Sequence, residues 1–198
     1  ARKAGYVVKL LAICERLTDA ATGVEGVSAR VHPALVPLDH PLAAVHGANN
    51  AVFVEAEAAG SLMFYGAGAG GIQTASAVLG DLVSAARRHV AGGPGVAEST
   101  HANMPVLPIS SVTTRYQITL SVIDEPGVLA TIATLFSDHG VSVEAVSQSV
   151  RDGADAPTAT LVIVTHEAAE SALASTVTAL AASPVVSSVV SVLRVEGL

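Results

Sequence analysis

The chain has no tryptophan, and aromatic residues make up only 3 % of its 198 positions. Nothing large and flat is available to fill a wide core, so alanine and valine must do it by close packing of small groups. Basic residues are scarce as well. Ten lysines and arginines stand against seventeen acidic residues, and no basic run occurs. Nucleic-acid binding draws its affinity from phosphate neutralisation by clustered basic side chains, so that partner is set aside. There is one cysteine, Cys14. A single thiol cannot close an internal disulfide, which fits a reducing, cytoplasmic setting. Its place in an apolar stretch reads as a small buried hydrophobe.

Unbroken apolar spans are also missing. Residues 58–80 and 171–193 carry no charge. Glycines break the first, while serines, threonines and Pro184 interrupt the second, so neither is an apolar helix of ~20 residues. The opening "ARKAGYVVKLLAICERL" has charge inside its apolar run and no small-residue cleavage site. Neither a signal peptide nor a membrane partner is expected. The chain starts at Ala1 inside what reads as an element already under way, so a piece of something longer is expected.

What is present is a 51 % apolar chain in two halves. Tyr6 to Leu17 reads as an amphipathic helix with Val7, Leu10, Leu11 and Cys14 on one face. "GVSARVHPALVP" reads as a strand ended by prolines. "HPLAAVHGANNAVFVEAEAAGSLMFY" gives a short helical turn and two strands, with "GANN" and "AAGS" as turns. A helix from about Ile72 to Val90 closes this half. Residues 91–108 have the glycine, proline and small polar composition of a linker. The second half runs strand "RYQITLSVI", helix "PGVLATIATLFSDHG", strands "VSVEAVSQSV" and "TATLVIVTH", helix "EAAESALASTVTALAA" and strand "PVVSSVVSVLRV". That βαββαβ order is the ferredoxin-like arrangement, an antiparallel sheet with two helices on one face. The fold class is α+β.

Gly66, Gly68 and Gly71 spell G-x-G-x-x-G. A dinucleotide fold needs a second parallel strand after the helix, ending near a ribose-binding acid. Here the helix runs into "AGGPGVAEST", so an ordinary Rossmann unit is not expected. Glycines before a helix still let backbone N–H groups approach a ligand, or they serve only a tight packed turn. His32, His40 and His46 have no helical pairing and no cysteine partners, so no metal site is expected. Glu55 and Glu57 share a strand face and read as solvated. No nucleophile–base arrangement is visible.

The strings "GYVVKLLAICER", "VHPALVPLDHPLAAVHGANNAVFVEAEAAG" and "MFYGAGAGGIQTASAVLGDLVSAARR" resemble the latter part of actinobacterial homoserine dehydrogenases. "DEPGVLATIATLFSDHGVSV" resembles the ACT regulatory domain that follows in those enzymes. The resemblance implies residues 1–92 as an incomplete mixed α/β substrate and dimerisation domain, 93–112 as linker and 113–198 as the ACT domain. It implies an oxidoreductase of methionine and threonine synthesis, using NAD or NADP and acting as a homo-oligomer. The catalytic lysine segment is expected upstream of Ala1, leaving no catalytic residue here; Lys3 and Lys9 do not replace it. Cofactor contacts carry over to Gly66, Gly68, Gly70 and, at the helix start, Thr74. Gln73 stands where the family usually has proline, a good first-turn residue. Effector contacts carry over to Asp124, Pro126, Gly127 and Val128, with L-threonine the implied effector and Asp124 able to cap the helix. The alternative is a free-standing amino-acid-binding or oligomerisation module without catalysis.

Overall fold

The computed structural model describes residues 1–92, 103–151 and 158–197. Two compact units form, Ala1–Pro37 with Met104–Leu198, and Leu38–Asn103. Residues 93–102 of the expected linker lie outside the described residues.

The first unit is built on one sheet. Strands β1 (Tyr6–Thr18) and β2 (Glu25–Pro37) form an antiparallel hairpin paired over all thirteen positions. Then come β5 (Thr113–Ile123), helix α2 (Val128–Asp138), β6 (Val143–Arg151), β7 (Thr158–Thr165), a two-residue β8 (Ala168–Ala169), helix α3 (Glu170–Ala182) and β9 (Val186–Val195). The strand order is β1-β2-β9-β5-β7-β6, with β8 pairing β5. The four strands β9-β5-β7-β6 are antiparallel throughout, which is the expected ferredoxin-like half. The hairpin extends that sheet through a short parallel join, Ala34 beside Arg194 and Leu35 beside Val195.

Period-two burial builds the core. Ile118, Leu120 and Val122 of β5 face inward with Ala159, Leu161 and Ile163 of β7. Val128, Ile132 and Phe136 fall four residues apart on α2, and Leu173 and Leu180 come from α3. Each of these valine, leucine, isoleucine and phenylalanine side chains contributes roughly 1.5–3 kcal/mol by burial. Leu129, adjacent to Val128 on α2, is turned away from this core and is 47 % exposed. Helix α2 ends as expected at Gly140, whose φ of +68° lets its N–H and that of Val141 turn back to the carbonyls of Ser137 and Phe136.

The amphipathic helix expected over Tyr6–Leu17 is not formed; that segment is strand β1. Its apolar residues occupy both parities, so a helical face and a strand fit the sequence equally. The pairing with β2 decides, since it satisfies a full ladder of backbone groups that no local signal announces. Cys14 is accordingly exposed on an outer strand face, and its expected burial is corrected.

The second unit holds a short 3-10 turn (Pro41–Ala44), strands β3 (Asn49–Ala56) and β4 (Gly60–Ala67), and helix α1 (Gly71–Ala91). These match the expected turn, hairpin and helix. His40 starts the turn by accepting from the Leu42 N–H at 3.2 Å, and its ring meets Phe53 edge-on at 4.7 Å. Among the described residues of this unit only Ala43 is buried, while Leu79, Leu82, Val83 and Val90 of α1 are all exposed.

Candidate functional site

The glycine loop joins β4 to α1. Strand β4 pairs antiparallel with β3, placing Asn50 opposite Gly66 and Asn49 opposite Ala67. The strand entering the loop therefore belongs to an antiparallel hairpin and has no parallel neighbour among the described residues. The Gly68 N–H donates to the Ala48 carbonyl at 2.9 Å, which ties the loop to the turn before β3. Gly70 stands before α1 at φ +138°, and the Thr74 N–H donates to its carbonyl at 3.0 Å. No side chain caps the first turn.

The glycines are not equivalent. A Cβ on Gly68 would sit 1.9 Å from Asn50 Nδ2, and one on Gly70 would sit 2.2 Å from Gln73 Oε1. Both positions are filled by neighbouring side chains. A Cβ on Gly66 would meet nothing within 4 Å. Among the described residues, Gly66 thus has no packing reason to lack a side chain. Gly66, Gly68, Gly70 and Thr74 are brought together in one continuous, exposed segment. It offers backbone N–H groups and a helix N-terminus, which suit part of an anionic cofactor such as NAD or NADP. The hydride chemistry would belong to the nicotinamide when bound.

The second candidate loop runs from the end of β5 into α2, in the other unit. Gly127 precedes α2 in the left-handed region at φ +93°. Its carbonyl accepts from the Thr131 N–H at 3.0 Å and from Thr131 Oγ1 at 3.2 Å. Asp124 does not cap the helix: no side chain does, and Asp124 Oδ1 accepts instead from Gln148 Nε2 of β6 at 3.4 Å. Pro126 lies one residue ahead of Gly127, outside the helix. Val128 points its side chain into the core and so offers a ligand only backbone. Sequence reasoning missed Gln148 and Thr131. Gln148 lies 24 residues from Asp124, and nothing local signals the contact.

A buried polar row crosses the sheet face carrying α3. Glu170 opens α3, accepts from the Tyr116 hydroxyl and pairs with Arg194 of β9. The Arg194 guanidinium lies 5.5 Å from the centre of the Tyr116 ring. Beyond it, Glu196 meets Arg30 Nη2 at 3.5 Å and His32 Nε2 at 3.6 Å, and Arg30 also pairs with Glu15 at 2.9 Å. Charges alternate along the row, so each buried ion has an opposite neighbour. Among the described residues no group of histidine, cysteine and acidic side chains could hold a metal, and no helix is long and apolar enough to cross a membrane.

An antiparallel βαββαβ unit with a loop before its first helix is a ferredoxin-like domain, and in the chain it follows a hairpin-and-helix segment. Residues 1–83 match the homoserine dehydrogenase family and residues 116–184 match the ACT domain family. The homoserine dehydrogenase of Corynebacterium glutamicum is 53 % identical over 196 residues, covering 99 % of this chain and 43 % of that protein. That of Mycobacterium leprae is 55 % identical over 200 residues, covering 100 % and 45 %. A crystal structure of a homoserine dehydrogenase from Thiobacillus denitrificans superposes with a TM-score of 0.86 at 34 % identity, over 98 % of this chain and 43 % of the other. The chain corresponds, over almost its whole length, to the C-terminal region of homoserine dehydrogenases, ACT domain included. It spans less than half the length of these relatives.

Proposed function

We propose that this chain is the C-terminal portion of an NAD(P)-dependent enzyme that interconverts L-homoserine and L-aspartate 4-semialdehyde in the cytoplasm. The identity of more than half its positions with proteins named homoserine dehydrogenase, along almost its whole length, carries the reading. Residues 1–92 are the end of the substrate domain and residues 113–198 the regulatory domain. The catalytic lysine and the nucleotide-binding domain belong to an upstream portion. The Gly66–Thr74 segment lies against the cofactor, and the enzyme is a homo-oligomer.

The ACT domain takes L-threonine, a product of the pathway, as feedback effector. The loop from Asp124 to Val128 receives its carboxylate at the start of α2. Helix N-terminal N–H groups favour an anion by roughly 0.3–1 kcal/mol, so polar neighbours such as Thr131 and Gln148 must add to it. A coupling of about 1–3 kcal/mol would suffice to change affinity at a distant site.

Isothermal titration of the 198-residue chain with L-threonine tests the effector reading. Saturable heat that weakens in Asp124→Ala with an unchanged circular dichroism spectrum supports it. No heat, or equal heat from the variant, overturns this loop. Heat from isoleucine or methionine instead keeps the loop and replaces the effector.

A further inference from the structure

Little backbone joins the β1–β2 hairpin to the ferredoxin-like sheet. Strand β2 pairs with β9 at Ala34–Arg194 and Leu35–Val195, and the Glu196 N–H then donates to the Leu35 carbonyl at 2.9 Å. Side chains add to this join. His32 of β2 and Glu196, the residue after β9, lie across it, with Nε2 of the ring 3.6 Å from Oε1 of the carboxylate. The two side chains are only 10 % and 16 % exposed. Both of the facing atoms are buried, and neither has a hydrogen-bond partner among the described residues. A buried polar atom left unpaired is costly, and two such atoms facing each other call for one common cause.

The other ring nitrogen supplies it. His32 Nδ1 lies 3.3 Å from the Pro33 carbonyl oxygen. A carbonyl only accepts, so Nδ1 carries the proton of the neutral ring. Nε2 of that neutral ring then aims a lone pair at a carboxylate oxygen, and acceptor faces acceptor. A second proton, on Nε2, makes the ring a donor at both nitrogens. Closing the gap to about 2.7–3.2 Å would then satisfy both orphaned atoms with one bond.

We propose that His32 is a pH-sensitive fastener of this join. With two ring protons it ties β2 to the end of β9 through Glu196. When Nε2 gives its proton to solvent, that tie is released and the short backbone join holds alone. Histidine exchanges its second proton between about pH 5 and 8, which sets the range in which such a fastener works. The charges around the ring come from every element packed there. On β2, Arg30 opposes a second cation, but its Nη1 is paired with Glu15 of β1 at 2.9 Å and its Nη2 lies 3.5 Å from Glu196. Lys9, on the same side of β1 as Glu15, stands opposite Ala34. Arg194 of β9 is paired with Glu170 of α3, which also accepts from the Tyr116 hydroxyl of β5. Among the described residues, the carboxylate that meets the His32 ring is that of Glu196.

Nuclear magnetic resonance of the 198-residue chain, labelled with nitrogen-15, is the experiment. Ring spectra across a pH titration should show the neutral His32 ring protonated on Nδ1, with Nε2 gaining its proton as pH falls. Over the same range the Glu196 N–H, which is bonded across the join, should become better protected against hydrogen exchange relative to the amides of β5. The gain should be at least about tenfold, the worth of one charge-assisted hydrogen bond. His32→Gln, with its fold checked by circular dichroism, should remove this pH dependence. A neutral ring protonated on Nε2 overturns the proposal, because the tie would then need no second proton. Protection of Glu196 that stays level while His32 titrates overturns it as well, and so does a gain that survives in His32→Gln. The first two results are read on the unsubstituted chain and do not depend on the variant folding.

Discussion

The hydroxyl of Tyr116, on the middle strand β5, donates to Glu170 Oε1 at 2.6 Å, and that carboxylate also holds Arg194. One buried acid thereby fastens the start of α3 to two strands. Its two contacts differ in worth. Tyr116→Phe removes one donor but leaves Glu170 paired, and should cost about 1 kcal/mol. Glu170→Leu leaves the Arg194 charge without its partner, and should cost about 3 kcal/mol. Urea unfolding of the two variants beside the parent chain checks the order; equal losses would contradict it.

Burial, and then the bond to Glu170, raise the Tyr116 phenol above its ordinary value of 10.0. A group whose folded value is raised contributes stability that is fully present below its unfolded value and is lost as pH rises beyond it. The thermal midpoint should therefore fall above about pH 10, and fall less in Tyr116→Phe. A parallel decline in both chains would assign the alkaline loss to other groups.

Acid acts on a different group. Asp19, in the β1–β2 turn, is held down to about 2 by the Ser111 hydroxyl and then by Thr22. With the folded value depressed from 3.8, the contribution is present above the unfolded value and disappears as pH falls through about 2. Asp19→Asn should lower the melting temperature near neutral pH. The difference from the parent should close on acidification to about pH 2. A difference that stays constant across this range would deny the carboxylate its role.

The three loop glycines should separate packing from ligand contact in an enzyme carrying the upstream portion. Gly66→Val adds atoms where nothing lies within 4 Å, so it should fold normally while raising the KM for NAD or NADP. Gly68→Val must first displace the Asn50 amide, which mixes a packing cost into any kinetic change. Gly70→Ala is strained by its φ of +138°, and should destabilise by about 1 kcal/mol. Unchanged kinetics in Gly66→Val would make the loop structural.

The 198-residue chain by itself should reduce neither NAD nor NADP in the presence of homoserine. Among its described residues no strand–helix–strand nucleotide unit is formed. Measurable turnover, followed through the absorbance of the reduced nicotinamide, would end the reading of the chain as a portion of the enzyme.

The ferredoxin-like half was legible because its signals are local. Alternation in "RYQITLSVI", four-residue spacing of Val128, Ile132 and Phe136, and Gly140 as a stop each follow from backbone geometry within one element. The glycine loop and the loop before α2 were legible for the same reason, since their backbone demands are written in adjacent residues. The role of Asp124 was not, because a cap and a cross-strand hydrogen bond compete for one carboxylate. Gln148, brought in by strand pairing, decides the outcome.

By itself the sequence determined the order of elements in the second half and the turns that punctuate the first. These depend on periodicity, on φ restrictions and on which side chains exist at all. Tertiary structure alone decided that residues 6–18 form a strand, that Cys14 faces outward, and that Glu170 joins Tyr116 to Arg194. Each depends on a partner distant in the chain: β2 supplies the ladder that outweighs helix propensity, and the folded sheet supplies the low-dielectric face on which three separated polar groups must find one another.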